Sequence, residues 1–238
     1  MADQRRIELD GRTATTASVY AGAAPAIATL VLAHGAGANQ FSPFMVEFAG
    51  ALAARHLDVV TFNFPFTERG KKLPDPQPVL EACYRSVLAH VATEPARGTL
   101  PIIIGGKSLG GRIASHVAAA RDADEPTAGT WWNRLRGLVF LGYPLHPPDR
   151  PAQLRAAHLP LVRPPMLFVQ GERDPFGTPA ELAPILAAIG PRAELLAVPG
   201  RDHSLGVPAR GRLLEPRLAA FLDPVAAWVR AVGGPLAG

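Results

Sequence analysis

Residues 101–112 decide the fold, and they read Pro101-Ile102-Ile103-Ile104-Gly105-Gly106-Lys107-Ser108-Leu109-Gly110-Gly111-Arg112. The isoleucine run has no alternating polar residues, which predicts a strand that is buried on both faces. Residues 106–110 match G-x-S-x-G, a pattern typical of a serine on a sharp turn between a strand and a helix. The alternative is a chance match, because glycine is frequent in this chain. The strand before it and the helix predicted after it favour the turn, which would present Ser108 just beyond a strand end.

Short apolar runs and helical patterns alternate along the rest of the chain. The runs that predict strands are 15–20, 27–33, 59–63, 101–105, 137–141, 166–170 and 195–198. The patterns that predict helices are 42–55, 78–94, 109–120, 178–189 and 215–231. This alternation predicts a single doubly wound α/β domain over residues 1–238 with a mostly parallel sheet. Residues 1–12 are expected to form a peripheral N-terminal segment.

Two of the predicted helices carry an apolar stripe at helical spacing. The stripe of the helix 78–94 consists of Val79, Ala82, Cys83, Val87 and Val91. The stripe of the helix 215–231 consists of Leu218, Phe221, Leu222, Val225, Trp228 and Val229. Cys83 is therefore predicted to be a core residue. Pro224 falls inside the last pattern, so we expect a kink or break there.

The composition favours a globular protein that folds without a metal or a disulfide. Of the 238 residues 48% are apolar and 18% are charged, and there is one cysteine. One cysteine excludes an intramolecular disulfide framework and a multi-cysteine zinc site. No run reaches the ~20 apolar residues of a membrane helix, and no signal peptide is recognisable. We therefore expect a cytoplasmic protein with no membrane partner, no cofactor and no metal.

The net charge of +4 does not indicate a nucleic-acid partner. Nucleic-acid binders concentrate their positive charge on one face or in one run. Here the basic pairs Arg5-Arg6, Arg134/Arg136 and Arg210/Arg212 are small and scattered. Arginine far exceeds lysine, which we interpret as codon bias in a GC-rich genome. The sequence therefore predicts no nucleic-acid binding.

Two further loops supply the groups that a serine nucleophile needs. A serine hydroxyl requires a base, and the base must in turn be oriented by a third group. Asp174 follows the strand predicted over 166–170, and His203 follows the strand predicted over 195–198. This chain order of serine, acid and histidine is the one expected after a G-x-S-x-G turn. We predict a triad of Ser108, Asp174 and His203.

Alternatives exist for two members of this triad. Asp174 precedes a proline and could merely cap the following helix. Glu172 or Asp202 could then serve as the acid. His203 could be an ordinary packed or surface histidine. The joint occurrence of all three groups at strand ends favours the catalytic interpretation.

The loop after the run 27–33 reads His34-Gly35-Ala36-Gly37-Ala38 and is a candidate oxyanion hole. Backbone N–H groups of Ala36 and Leu109 are the predicted donors to a developing oxyanion. An ordinary glycine turn is the alternative for this loop. His34 is expected to brace the loop through a hydrogen bond instead of taking part in the chemistry.

The proline-rich segment 143–165 is where a lid would lie, and it is too short for a helical cap domain. An open site suggests small or accessible substrates. Lys107 lies beside the nucleophile, and Arg69, Lys71 and Lys72 follow a strand end, so a cationic rim could favour an anionic substrate. The alternative is that these loop cations are simply solvated. Three more residues are expected to line the pocket, namely Gly35, Tyr143 and His146.

Together, residues 34–37, residues 106–112, Asp174 and His203 resemble the α/β-hydrolase superfamily. Residues 64–78 and 141–148 are similar to a group of small bacterial hydrolase-like proteins that resemble dienelactone hydrolases. That group also resembles the hydrolase-like domain of a eukaryotic histone-acetyltransferase complex subunit and of a testis-expressed protein. The resemblance covers about 15–232 and implies an eight-stranded sheet of the α/β-hydrolase type with no or minimal cap. Dienelactone hydrolases use a cysteine nucleophile, and this chain has Ser108 at that position.

These features predict a serine hydrolase, in the first place a carboxylesterase that acts on a small-molecule ester through an acyl-enzyme. A thioesterase or an acyltransferase would use the same machinery. A non-catalytic interaction module of the same fold is the other alternative. Such a module has no need to keep nucleophile, acid, base and oxyanion loop together, and this chain has all four. The oligomeric state does not follow from the sequence.

Overall fold

The computed structural model describes residues 2–9, 13–95, 97–120, 131–206 and 215–234. The predicted basic pair Arg210/Arg212 lies outside these residues. Within them the strands are β1 (Asp3–Glu8), β2 (Ala14–Tyr20), β3 (Ala28–Ala33), β4 (Leu57–Phe62), β5 (Ile102–Lys107), β6 (Leu135–Leu141), β7 (Met166–Gly171) and β8 (Ala193–Val198). The helices are α1 (Pro43–Ala53), α2 (Pro65–Glu68), α3 (Gln77–Thr93), α4 (Leu109–Ala119), α5 (Pro179–Ile189) and α6 (Glu215–Val232). A short 3-10 helix covers Leu159–Leu161.

The eight strands form one sheet in the order β1-β2-β4-β3-β5-β6-β7-β8. β2 pairs antiparallel with β1 and with β4, and the remaining neighbours pair parallel. All seven strands predicted from apolar runs are present. β1 is the eighth strand, and it forms the outer edge of the sheet. In a parallel sheet the loops that leave the carboxyl ends of the strands meet at one edge, which is where open α/β sheets bind ligands.

Helices cover both faces of the sheet, so its central strands are buried on both sides. Every residue of β3, β4 and β7 is buried. Ile102, Ile103 and Ile104 of β5 are buried as well, as the isoleucine run predicted. Side chains of α3, α4 and α5 form the core on one face. Side chains of α1 and α6 form the core on the other. The predicted doubly wound, mostly parallel α/β architecture is confirmed.

The predicted apolar stripe of α3 was only partly right. Val79 is 41% exposed and Ala82 is also exposed, whereas Leu80, Tyr84 and Leu88 are buried in their place. The reason is the Tyr84 hydroxyl, which accepts the N–H of Gly105 at 2.9 Å and lies 2.6 Å from the carbonyl oxygen of Val31. This polar anchor shifts the centre of the buried stripe toward the row of Tyr84, while Cys83, Val87 and Val91 of the predicted stripe remain buried. Cys83 is buried as predicted, and burial raises the pKa of its thiol.

The break expected at Pro224 is absent, because α6 continues through it. Pro224 and Ala220, whose carbonyl loses its helical partner, both lie on the exposed face of the helix. Water can therefore bond the freed carbonyl, which lowers the cost of a proline inside a helix. No helix among the described residues is long and apolar enough to cross a membrane.

The segment 143–165 contains no α-helix and therefore makes only a minimal cap. Its 3-10 helix packs against α4, the helix that follows Ser108. The ring of His158 stacks on that of His116 with a centroid distance of 3.6 Å, and His158 Nε2 lies 2.7 Å from Ser115 Oγ. These contacts hold the segment against the side of the site.

Candidate active site

Ser108 occupies a strained turn between β5 and α4, with φ of 49° and ψ of −113°. A positive φ is uncommon for a residue with a Cβ, and it aims the side chain away from the sheet. The turn needs small neighbours. A Cβ on Gly106 or on Gly110 would lie 2.2 Å from the carbonyl oxygen of Ala33 on the adjacent strand β3. The sequence pattern and the structure therefore agree on the strand–turn–helix element.

The structure brings the three residues of the predicted triad into one hydrogen-bonded chain. His203 Nε2 lies 2.8 Å from Ser108 Oγ, and His203 Nδ1 lies 2.8 Å from Asp174 Oδ2. Asp174 follows β7 and is fully buried, whereas the His203 side chain is 22% exposed. This arrangement can transfer a proton from the serine hydroxyl to the imidazole while the carboxylate holds the ring.

Neighbouring groups fix the orientation of the Asp174 carboxylate. Its Oδ2 accepts a hydrogen bond from Gln170 Nε2 at 2.9 Å, and its Oδ1 accepts the N–H of Phe176 at 2.8 Å. The alternative acids have other partners. Glu172 is exposed and accepts the N–H of Gly200, and Asp202 accepts hydrogen bonds from Ser204. Asp174 is therefore the carboxylate that the geometry joins to His203.

Gly142, which follows β6, forms a floor beneath the triad. Its φ is 69°, and a Cβ built on it would lie 2.9 Å from Lys107 Nζ. The same Cβ would lie 3.3 Å from His203 Nδ1 and 3.4 Å from Asp174 Oδ2. Asp174, His203 and Lys107 thus converge on a position whose positive φ and close neighbours favour glycine.

Lys107 reaches across this floor to the loop that carries the base. Its ammonium group donates a hydrogen bond to the carbonyl oxygen of His203 and lies 5.9 Å from the centre of the Phe44 ring. Burial lowers the pKa of Lys107 to about 8, and the carboxylates of Asp174 and Asp202 oppose this shift. Lys107 is therefore a half-buried cation next to the triad, and both of its neighbouring carboxylates and the His203 carbonyl face it.

The loop after β3 lies against the nucleophile as expected. A Cβ on Gly35 would lie 3.6 Å from the Ser108 Cβ. Among the described residues nothing accepts a hydrogen bond from the Ala36 N–H. Leu109 is the first residue of α4, a position at which the N–H has no acceptor within the helix. Both predicted oxyanion donors therefore border the cavity at the serine with their N–H groups available.

His34 braces this loop. Its Nε2 accepts the N–H of Phe64 at 3.1 Å, so Nδ1 carries the proton and donates it to the Gly35 carbonyl at 2.8 Å. The imidazole is fully buried, and this burial lowers its pKa to about 4. His34 is thus a neutral link between the loop and α2.

A cavity of about 760 Å³ opens above the serine. Its lining includes the predicted residues Gly35 and Lys107. Arg69, Tyr143 and His146 are absent from the lining. Arg69 pairs with Asp75, Tyr143 is buried with its hydroxyl bonded to the Arg155 carbonyl, and His146 Nε2 lies 3.3 Å from Glu181. Of the cations predicted for the rim, Lys107 lines the cavity, whereas Arg69, Lys71 and Lys72 do not.

Three residues that the sequence reading missed do line this cavity, namely Arg112, Arg155 and Phe176. The ring of Phe176 packs on that of His203 with a centroid distance of 4.3 Å. The signal for Arg112 was its position one helical turn after Ser108, which puts it at the same end of α4. No such signal exists for Arg155, because its place depends on the path of an irregular segment.

Comparisons with known proteins agree with this fold. A sequence model of the family described as alpha/beta hydrolase domain matches residues 26–230. A solved dienelactone hydrolase from Anabaena variabilis is similar, with a TM-score of 0.75 and 19% sequence identity. The match covers 98% of this chain and 99% of that one. At this level of identity the similarity establishes the fold.

Two further solved structures have the same architecture. Esterase 2 of Thermogutta terrifontis, phosphorylated by paraoxon, matches with a TM-score of 0.73 and 17% identity, over 98% of this chain and 94% of that one. An α/β serine hydrolase without a lid from Xanthomonas campestris matches with a TM-score of 0.66 and 16% identity, over 95% of this chain and 94% of that one. The resemblance to the eukaryotic chromatin-complex subunit stays a prediction.

Proposed function

The chain belongs to the alpha/beta hydrolase family, and we propose that it is a serine hydrolase that cleaves small carboxylic esters through an acyl-enzyme. The observation that carries this proposal is the continuous chain from Asp174 through His203 to Ser108, with 2.8 Å at each link. A packed histidine would need only one such partner. Two partners of opposite function, one buried carboxylate and one hydroxyl on a strained turn, support catalysis.

In the proposed reaction the Ser108 oxygen attacks the ester carbonyl while its proton passes to His203 Nε2. The C–O bond to the alcohol then breaks, and His203 returns the proton to the leaving alkoxide. Water attacks the acyl-serine with His203 again as the base, which releases the carboxylic acid and restores the serine. Throughout, Asp174 keeps the Nδ1 proton of His203 oriented toward itself and stabilises the transient imidazolium.

The N–H groups of Ala36 and Leu109 are proposed to bind the tetrahedral oxyanion. Their location at the cavity beside Ser108 supports this role. Loss of one such donor costs about 2.7–4 kcal/mol of transition-state stabilisation in enzymes where it has been measured. The minimal cap leaves the cavity open on one side, which favours small or accessible esters.

The test combines covalent labelling with turnover. We expect a fluorophosphonate probe to label wild-type protein at Ser108, and Ser108→Ala to abolish both labelling and hydrolysis of 4-nitrophenyl butyrate. Ser86→Ala is the control, because Ser86 lies on α3 and bonds only its own helix at Ala82. Equal turnover by wild-type protein and Ser108→Ala would contradict the proposal.

A panel of matched esters and thioesters then separates the alternatives that share this machinery. Faster turnover of butyryl thioesters than of butyryl esters would make the protein a thioesterase. Transfer of the acyl group to an added alcohol in preference to water would make it an acyltransferase. A protein that is neither labelled nor active would be a non-catalytic module of this fold.

A further inference from the structure

Two arginines from separate parts of the chain meet at the cavity above Ser108. Arg112 comes from α4, one turn after the serine, and Arg155 comes from the segment 143–165. Burial lowers the pKa of Arg112, and the nearby positive charge of Arg155 lowers it further. Two like charges are therefore held close together next to the reacting serine.

Neither guanidinium has an ion-pair partner among the described residues. The Arg112 Nη1 donates to a neutral amide, Gln77 Oε1, at 3.3 Å. Glu81 is the carboxylate whose field reaches Arg112, but its Oε2 pairs with Arg85 at 3.2 Å. Elsewhere in the described chain Arg55, Arg85 and Arg97 are paired with carboxylates, whereas the partly buried Arg134 and Arg192 donate to backbone carbonyls. Arg112 and Arg155 thus belong to the arginines that no carboxylate neutralises, and these two line the cavity at Ser108.

Two hydrogen bonds of its backbone hold Arg155 in this position. Its N–H donates to the Leu145 carbonyl at 2.7 Å, and its carbonyl accepts the Tyr143 hydroxyl at 2.7 Å. The bond between His158 and Ser115 anchors the same segment on α4. Because like charges repel and neither is neutralised, this arrangement has a free-energy cost that a bound anion would offset.

A second cavity of about 450 Å³ adjoins the first, and both are lined by Gly35 and Lys107. Its side walls include Pro43, Phe44 and Met45, which are apolar. Ser108 lines the first cavity, and the second adds an apolar wall beside Lys107, Asn39, Ser42 and Ser204. A substrate that used both would carry its charge at one end and an uncharged group at the other.

We propose that Arg112 and Arg155 form a subsite for an anionic group, a carboxylate or a phosphate, carried by the ester that Ser108 attacks. This inference rests on the proposed function. Guanidinium groups match both anions because they donate two parallel hydrogen bonds in a fixed plane. The adjoining apolar cavity receives the uncharged part of the same substrate. The anionic end is selected by charge, and Ser108 performs the chemistry.

The test compares matched esters with and without a charge. Mono-4-nitrophenyl glutarate and 4-nitrophenyl butyrate differ by a carboxylate in the acyl part, and 4-acetoxybenzoate and phenyl acetate differ by one in the leaving group. For one pair we expect the ratio of kcat/KM, charged over neutral, to fall about ten- to a hundredfold in Arg155→Gln and in Arg112→Gln. Arg150→Gln, on the same segment but exposed and outside the cavity lining, is the matched control and should keep the wild-type ratio.

A binding measurement keeps this test separate from the test of catalysis. Inorganic phosphate and glutarate are titrated calorimetrically into Ser108→Ala protein and into the double variant Ser108→Ala/Arg155→Gln. If Ser108→Ala protein binds one of the two anions more tightly than the other, and the double variant loses this binding, the result supports the subsite and identifies the anion. An unchanged ratio for both ester pairs, or equal anion binding by the two proteins, overturns the subsite even when Ser108-dependent hydrolysis is established.

Discussion

The ammonium group of Lys107 donates a hydrogen bond to the backbone carbonyl of His203, so the residue before the nucleophile holds the loop that carries the base. The two residues are 96 positions apart in the chain. Strands β6, β7 and β8 lie between them in sequence, and the sheet returns the His203 loop to the end of β5. This bond couples the position of the base to the turn at Ser108.

The partial desolvation of the Lys107 ammonium group predicts a specific dependence of stability on pH. Its pKa is about 8 in the folded protein, against 10.5 as the ordinary value. Between these values the unfolded chain binds more protons at this group, so stability rises with pH. We expect the free energy of unfolding of wild-type protein, minus that of Lys107→Met, to increase from pH 8 to pH 10.5.

Urea denaturation at constant ionic strength measures this difference. Lys72→Met, which removes an exposed lysine, is the control for the loss of one positive charge. A difference that decreases with pH over this window would mean that the fold stabilises the charged form of Lys107. The assignment of Lys107 as a desolvated cation would then be wrong.

Asp174→Asn should reduce kcat for ester hydrolysis by about 10⁴-fold. It should also lower the melting temperature, because an amide nitrogen in place of the buried Oδ2 cannot accept the hydrogen bond of Gln170 Nε2. An amide N–H that faces His203 Nδ1 favours the tautomer whose proton lies on Nε2, and that nitrogen can no longer accept the serine proton. Steady-state kinetics on 4-nitrophenyl butyrate measure the loss. Glu172→Gln is the matched control, because Glu172 is exposed and bonds Gly200. A large loss in Glu172→Gln and a small one in Asp174→Asn would reassign the acid.

Gln170→Leu should destabilise the fold by about 2–5 kcal/mol. Gln170 is completely buried, and its Oε1 accepts the Tyr143 N–H at 2.8 Å. Its Nε2 donates to Asp174 at 2.9 Å and to the Gly177 carbonyl at 2.6 Å. Leucine has similar volume but leaves the Tyr143 N–H and the Gly177 carbonyl unpaired and removes one of the two hydrogen bonds to Asp174 Oδ2. Chemical denaturation measures the change against Gln153→Leu, an exposed control that should change stability little.

Two glycine substitutions on helices should have opposite effects. A Cβ on Gly110 would lie 2.2 Å from the Ala33 carbonyl oxygen, so Gly110→Ala must push α4 away from β3. We expect a loss of about 1–3 kcal/mol. Gly50 on α1 has nothing within 4 Å of such a Cβ, so Gly50→Ala should gain about 0.5–1 kcal/mol. Thermal unfolding of both variants measures these changes. Stabilisation by Gly110→Ala would contradict the close packing of α4 against β3.

The sequence was informative wherever function follows directly from a strand end. Ser108, Asp174 and His203 each come within a few residues after an apolar run, and parallel pairing brings such positions to one edge. The phase of α3 was harder to predict, because two neighbouring rows of its side chains are apolar. Only the hydrogen bonds of Tyr84 with the central strands select the buried row.

The charged groups of the site were harder to predict for a different reason. Arg69 follows a strand end, but a local partner, Asp75, pairs with it. Arg155 reaches the cavity because the segment 143–165 folds back on α4, a path that no periodic pattern encodes. Loop cations are therefore assigned by tertiary contacts, which become visible only in three dimensions.

The glycine floor at Gly142 has a consequence for the interpretation of related sequences. A side chain at this position would be strained by the positive φ and would press on His203, Asp174 and Lys107, although Gly142 belongs to none of the patterns by which a serine hydrolase is recognised. A paralogue could keep serine, aspartate and histidine in the right order and still be a pseudoenzyme. The residue at the position equivalent to Gly142, two after the equivalent of Phe140, would identify such a pseudoenzyme. Replacing that residue by glycine would be the first step in restoring its activity.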